Sequence, residues 1–125
     1  MGTTEGWNQK VGKAGEDAAV RLLMERGWRI LGRNIRTPAG ELDLIAQDGE
    51  WTVLVEVKSR RSRRLGLPQE AVTGAKKRRL LAAGQCYLQE RGLLDSPWRI
   101  DVVAIEFGAD GRIIRSEVFS HAVTG

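Results

Sequence analysis

Two short acidic segments hold most of the chemistry available to this chain, Glu41-Leu42-Asp43 and Glu56-Val57-Lys58. Between them lies Asp48-Gly49, a strong hairpin signal. With Asp48-Gly49 as the two loop residues, Gln47 faces Glu50 and paired positions sum to 97. Glu41 then lies opposite Glu56, and Asp43 is a diagonal neighbour of Glu56 with Cβ atoms about 7 Å apart. Carboxylates reaching across such a gap can share one cation through oxygen–metal bonds of about 2.1 Å. Lys58 sits one same-face step beyond Glu56, about 7 Å along the strand. The plain alternative is the wet side of an amphipathic hairpin. Against it, Ile45 and Leu54 share the acidic face, so part of that face is covered. Buried like-charged carboxylates cost several kcal/mol unless a cation or a proton compensates them.

Positive charge gathers directly after this hairpin. Of 20 Lys and Arg residues, nine fall between positions 58 and 79, in Lys58-Ser59-Arg60-Arg61-Ser62-Arg63-Arg64 and Lys76-Lys77-Arg78-Arg79. Such density suits phosphate neutralisation with counterion release, although a solvated loop and helix face would read alike. The formal net charge is only +4, so placement carries the argument. Other chemistries are excluded by scarcity. One cysteine, Cys86, allows no internal disulfide framework, and one histidine, His121, allows no Cys/His zinc cage. A serine or cysteine triad would have to use that histidine, close to the end of the chain.

The elements that must position these groups are legible from periodicity. Val11, Ala14, Gly15, Ala18, Ala19, Leu22 and Leu23 mark one face of a helix, stopped by Gly27. Trp28 to Ile35 reads as a strand, Thr37-Pro38-Ala39-Gly40 as a turn, and Glu41–Gln47 and Trp51–Lys58 as the hairpin strands. On the hairpin's other face, Leu42, Leu44, Ala46, Trp51, Val53, Val55 and Val57 form a wholly apolar set that must be core. Pro68 suits the first turn of a second helix, with an apolar stripe through Leu80, Leu81, Gly84, Tyr87 and Leu88; Gln69 and Glu70 suit its N-terminus. Strands are expected over Trp98–Phe107 and from Arg112 to about Ser120, across a Gly-Ala-Asp-Gly turn. The order α-β-β-β-α-β-β describes an α/β fold, a mixed sheet flanked by helices. At 125 residues, with 42% hydrophobic and 29% charged, the expectation is one domain spanning 1–125, its core at about 10–120. No apolar run reaches the 18–20 or so residues of a membrane helix and no leader opens the chain, so a cytoplasmic protein without a membrane partner is expected.

In combination, Glu41-Leu42-Asp43 and Glu56-Val57-Lys58 around a short hairpin resemble the catalytic signature of the PD-(D/E)xK nuclease superfamily. Gly15-Glu16, Gly40-Glu41-Leu42-Asp43-Leu44-Ile45, Val55-Glu56-Val57-Lys58-Ser59-Arg60, the helix at Lys77–Leu81 and Ile100-Asp101-Val102-Val103 narrow the likeness to the YraN-like family of small bacterial proteins. That family is similar to archaeal Holliday-junction resolvases. Leu42 stands where the superfamily's name has proline, and the backbone needs only to place Asp43. The resemblance implies a restriction-endonuclease-like core in which Asp43 and Glu56 bind Mg²⁺ or Mn²⁺ with help from the Val57 carbonyl. Lys58 would orient or deprotonate the attacking water, or neutralise charge on the scissile phosphate. Glu16 would add an outer carboxylate; on a helical wheel it lies beside Ala19 and Leu23, although an acid in an early turn also suits the macrodipole. Glu41 would back the metal ligands or bind a second ion.

The leading expectation is a metal-dependent nuclease acting on branched or structured DNA, gripped by Arg60, Arg61, Arg63, Arg64, Lys76, Lys77, Arg78 and Arg79. Phosphate contacts of this kind would serve RNA as well. Two rivals stand beside it: a nucleic-acid-binding module of nuclease fold with little catalysis, and an interaction protein whose acidic hairpin meets a protein partner. By analogy with junction resolvases a homodimer is expected. Asp101 matches a position of the YraN-like family, with a structural role beside Arg99 as the alternative; Trp28, Trp51 and Trp98 read as core or core edge, Cys86 as a small core residue and His121 as an exposed tail residue. Trp7 could be core or stack on a base.

Overall fold

The computed structural model describes residues 4–61 and 74–123, with side chains over 12–61 and 74–122. Arg63, Arg64, Pro68, Gln69 and Glu70 lie outside the described residues, as does the Trp7 side chain. The elements run α1 (Thr4–Glu25), β1 (Arg29–Thr37), β2 (Gly40–Asp48), β3 (Trp51–Arg60), α2 (Gly74–Glu90), β4 (Trp98–Phe107) and β5 (Ile113–Val123). They build one five-stranded sheet in the order β1-β2-β3-β4-β5, antiparallel except for the parallel pair β3 and β4. The chain is therefore an α/β protein of mixed-sheet type, with the α-β-β-β-α-β-β order and a restriction-endonuclease-like core.

Each helix covers one face. Ala18, Ala19 and Leu23 of α1 pack on Leu44, Ala46, Val53, Val55, Val103, Ile105 and Phe107. Leu80, Ala83, Tyr87 and Leu88 of α2 pack on Ile45, Leu54, Ile100 and Val102. Both helices close alike. Gly27 (φ 87) and Gly92 (φ 69) take the left-handed conformation, and the amides of Trp28 and Leu93 reach back to the carbonyls of Leu23 and Leu88 at 3.0 and 2.8 Å. Each helix also spends a glycine on close approach to β3. A Cβ at Gly84 would stand 2.5 Å from Leu54 Cδ1, and one at Gly15 would collide with Ser59 Oγ.

Three expectations are corrected. The helix expected from Val11 begins at Thr4. The β2–β3 loop is Gly49-Glu50, not Asp48-Gly49: Asp48 pairs with Trp51, Gln47 with Thr52 and Leu44 with Val55, so partners sum to 99. Gly49 adopts φ 59 and Glu50 does not, the pattern of a turn with glycine in its first central place. A slide of two residues preserves which side chains share a face, but it moves Asp43 from diagonal to level with Glu56 and removes Glu41 from that place. Finally, Leu42 leaves the face of Leu44 and Ala46 and packs with the α2 cluster. The β2–β3 pairing has stopped at Leu44 and Val55, and the alternation breaks there.

Asp101 is fully buried and structural. The register of β4 against β5 slips between Ile100, which pairs with Val123, and Val102, which pairs with Phe119. The Asp101 carboxylate fills the slip, accepting the His121 amide at 2.9 Å, the Ser120 hydroxyl at 3.3 Å and Arg99 Nε at 3.0 Å. Arg99 also donates to Asp48 Oδ2 at 2.8 Å and lies over the rings of Trp28 and Trp51, 5.2 and 5.5 Å from their centroids. His121 thus belongs to β5 rather than a tail. It holds φ 52, and its exposed ring meets Trp51 edge-on at 5.4 Å.

Candidate functional site

Where β2 and β3 part, side chains replace the ladder. Asp43 Oδ2 accepts the Val57 amide at 2.8 Å, so the aspartate spans the fork in place of a main-chain carbonyl. The Glu56 carboxylate lies close beside it. Burial, then the Glu56 charge, push the Asp43 carboxyl up to about 7, with Glu16 adding to the rise and the Val57 amide opposing it. Asp43 therefore holds its proton to near neutral pH.

Two ammonium groups converge on the same acid. Glu56 is 7% exposed, and its Oε1 lies 2.9 Å from Lys76 Nζ and 3.6 Å from Lys58 Nζ. Burial and then the neighbouring Lys76 push Lys58 below the ordinary lysine range. Burial works against Lys76 as well, but its contact with the Glu56 carboxylate, with the charges of Glu56 and Asp43, leaves it raised.

Glu16 comes to this place from α1. Gly15 lets the helix rest on Ser59 of β3, which brings the next residue over the fork. Arg33 of β1 steadies that stretch, donating to Asp17 Oδ1 at 2.7 Å and standing 3.8 Å from Glu16 Oε1. Arg33 also holds the Asp17 carboxyl below its usual range. The result is a cavity of about 420 Å³ whose walls include Glu16, Asp43, Glu56, Lys58 and Lys76, with Arg60 and Arg61 at one side. A second hollow of about 280 Å³ shares Asp43, Glu56 and Lys76 and is completed by Glu41, Arg79, Gly40 and Leu80. Both lie toward the C-terminal end of β3. Parallel strands commonly offer such an end to ligands.

The sequence and the geometry part at several residues. Glu41 is half-exposed and stands 3.8 Å from Arg36 Nε rather than opposite Glu56. Arg61 donates to the Ala109 carbonyl at 3.2 Å, which ties it to the β4–β5 turn. Lys77, Arg78 and Arg79 are exposed as expected, whereas Lys76, grouped with them in the sequence, turns inward to Glu56. A helical-wheel reading could have found this, because Lys76, Leu80, Ala83 and Tyr87 follow one another at spacings of four, three and four. Arg33 carried no signal at all. Among the described residues no group of three or more His, Cys, Asp and Glu side chains converges as a ready cation cage. The available donors are the Asp43 and Glu56 carboxylates and main-chain oxygens such as that of Val57.

The comparisons with known proteins agree with one another. The profile of "Uncharacterised protein family UPF0102" matches residues 15–105, from the glycine that seats α1 to near the end of β4. The chain belongs to the UPF0102 family. It is similar to the UPF0102 protein of Symbiobacterium thermophilum, 53% identical over 106 residues that cover 85% of this chain and 90% of the relative. A UPF0102 protein of Pelotomaculum thermopropionicum is 46% identical over 112 residues, covering 90% and 93%. Another, of Renibacterium salmoninarum, is 49% identical over 96 residues, covering 77% and 81%. The UPF0102 match supports the YraN-like resemblance drawn from the motifs, and it spans Gly15-Glu16, the β2–β3 hairpin and Lys76 together. As for membranes, no described helix is long and apolar enough to cross one.

Proposed function

We propose that this UPF0102 protein is a metal-dependent nuclease that hydrolyses phosphodiester bonds in branched or structured DNA. The observation that carries the reading is the buried Asp43–Glu56 pair, with Lys58 beside it, in a cavity edged by Arg60 and Arg61. Two acids held so close that one keeps its proton to about pH 7 make a place suited to a divalent cation. Mg²⁺ or Mn²⁺ fits this oxygen-only donor set, with Asp43, Glu56 and the Val57 carbonyl as protein ligands and Glu41 adjacent. When bound, the ion supplies positive charge that polarises the phosphodiester.

The remaining chemistry belongs to side chains. Lys58, whose charged form burial disfavours, would accept a proton from the attacking water or neutralise charge on the scissile phosphate. Water oxygen then bonds to phosphorus, the bond to the leaving ester oxygen breaks, and that oxygen takes a proton from solvent. Glu16 faces the same cavity and can hold the water in line by accepting its second hydrogen. Arg60, Arg61 and the exposed Lys77, Arg78 and Arg79 would hold backbone phosphates without reading sequence, which accords with structured DNA and equally with RNA. A homodimer, carried over from junction resolvases, would let two such sites act on a branched substrate.

A second reading has one observation in its favour. Lys76 already neutralises Glu56, as it could in a binding module of nuclease fold that does little catalysis. Plasmid, linear, single-stranded and four-way-junction DNA, each incubated with Mg²⁺, Mn²⁺ or a chelator, separate the two. Metal-dependent cutting of the junction supports a nuclease. Tight binding with no cutting in either metal favours the module.

A further inference from the structure

We propose that Lys76 is a built-in counter-ion that competes with the divalent cation for Glu56, so that metal binding requires its ammonium to leave. The inference rests on the metal-site reading of Asp43 and Glu56 and concerns what holds that site closed before metal arrives.

The Glu56 carboxylate already has a cation on it. Its Oε1 lies 2.9 Å from Lys76 Nζ, within hydrogen-bond distance, and 3.6 Å from Lys58 Nζ. A divalent ion at about 2.1 Å from the same oxygen would stand within a few ångströms of the Lys76 charge, where like charges repel strongly under partial burial. One cation must yield, and the two lysines are unequal in this. Lys58 is fixed on the central strand β3, whereas Lys76 reaches in from the opening turns of α2 on four methylenes. The Lys76 side chain also lies between the two hollows, lining both, so either offers room for the displaced ammonium. The larger one, beside Lys58, Arg60 and Arg61, is where a phosphate would meet it. Metal entry and phosphate capture are then coupled through a single side chain: the ion frees the ammonium, and the phosphate gives it a new partner. Lys77, Arg78 and Arg79, which are exposed, do not share this position.

Calorimetric titration of the full chain with Mn²⁺ alone, at one pH and one salt concentration, provides the test without reference to cleavage. K76M removes the charge at nearly constant length, K76Q keeps a hydrogen bond to Glu56 without the charge, and K76R keeps the charge. Circular dichroism of each variant before titration verifies the fold. Tighter Mn²⁺ binding by both K76M and K76Q, about tenfold or more, with K76R close to the wild type, is the expected result. Equal or weaker binding by both neutral variants overturns the counter-ion role and leaves Asp43 and Glu56 as a metal site. An absence of Mn²⁺ binding by the wild type and all variants overturns the inference together with the metal-site reading.

Discussion

Asp43 accepts the Val57 amide at 2.8 Å across the point where β2 and β3 separate, and this one hydrogen bond fixes an acid at the opening of the sheet. The fork could have been closed by a further main-chain pair. The aspartate holds it open and faces Glu56 at the cost of burying two acids together.

That cost has a sign in pH. Asp43 rises from an ordinary carboxylate value near 4 in the unfolded chain to about 7 in the fold. Between those values the folded state binds more protons than the unfolded one, so this group's contribution to stability is full below about pH 4 and is lost as pH climbs through 7. Asp43→Asn imitates the protonated form, with one oxygen for the Val57 amide and an NH₂ for Glu56. Urea denaturation should find the variant close to the wild type at pH 4 and more stable at pH 8, by up to roughly 4 kcal/mol. Identical pH profiles for the two proteins would refute the raised Asp43 carboxyl.

Gly15 makes a separate prediction about how Glu16 is placed. An alanine there puts its Cβ against Ser59 Oγ and 3.0 Å from Ser59 Cβ, on the central strand. Gly15→Ala should destabilise the fold by about 1–3 kcal/mol. Ser59→Gly in the same chain should recover most of that loss, a coupling that thermal unfolding of the four-member mutant cycle measures. Additive effects would mean that α1 does not rest on Ser59.

On β4, level with Val55, Asp101→Ala leaves Arg99 buried with Asp48 as its remaining acidic partner and strips the acceptor from the His121 amide. Removing one partner of a buried pair commonly costs about 3–5 kcal/mol. Denaturation should report a loss of that size, while the Mn²⁺ affinity of the folded variant stays at the wild-type value. A weakened Mn²⁺ affinity would instead place Asp101 in the site.

Arg60 and Arg61 are expected to act through charge. Replacing both by alanine should weaken DNA binding on every sequence and flatten its dependence on salt by about two units of slope. Fluorescence anisotropy across a salt series measures this, and an unchanged slope returns the two arginines to a structural role. For Arg61 such a role is already visible in its bond to the Ala109 carbonyl.

The strands and both helices are legible because their periodicities hold over most of each element. β4 is buried along nearly its whole length although it carries Arg99, Asp101 and Glu106, and its limits, Trp98–Phe107, match the sequence expectation. Helix ends at Gly27 and Gly92 follow from glycine's access to positive φ. The β2–β3 register was misread because Asp48-Gly49 and Gly49-Glu50 both make acceptable two-residue turns, and propensity alone does not choose between them. Face assignments survived, since an even slip keeps parity, but Leu42 did not. No alternation rule anticipates a strand that changes sides where its ladder ends. Within the site, Asp43, Glu56 and Lys58 were conspicuous as charges inside apolar strands. Lys76 was hidden among three exposed basic neighbours, although its helical spacing from Leu80 pointed inward.

The most direct measurement is the single-turnover rate at which the wild type and the Glu56→Gln variant cut a four-way DNA junction in saturating Mn²⁺. The account predicts cutting by the wild type, its abolition by chelator, and a fall of about a hundredfold or more in the variant. Equal rates for the two proteins, or cutting that persists without a divalent ion, would contradict it.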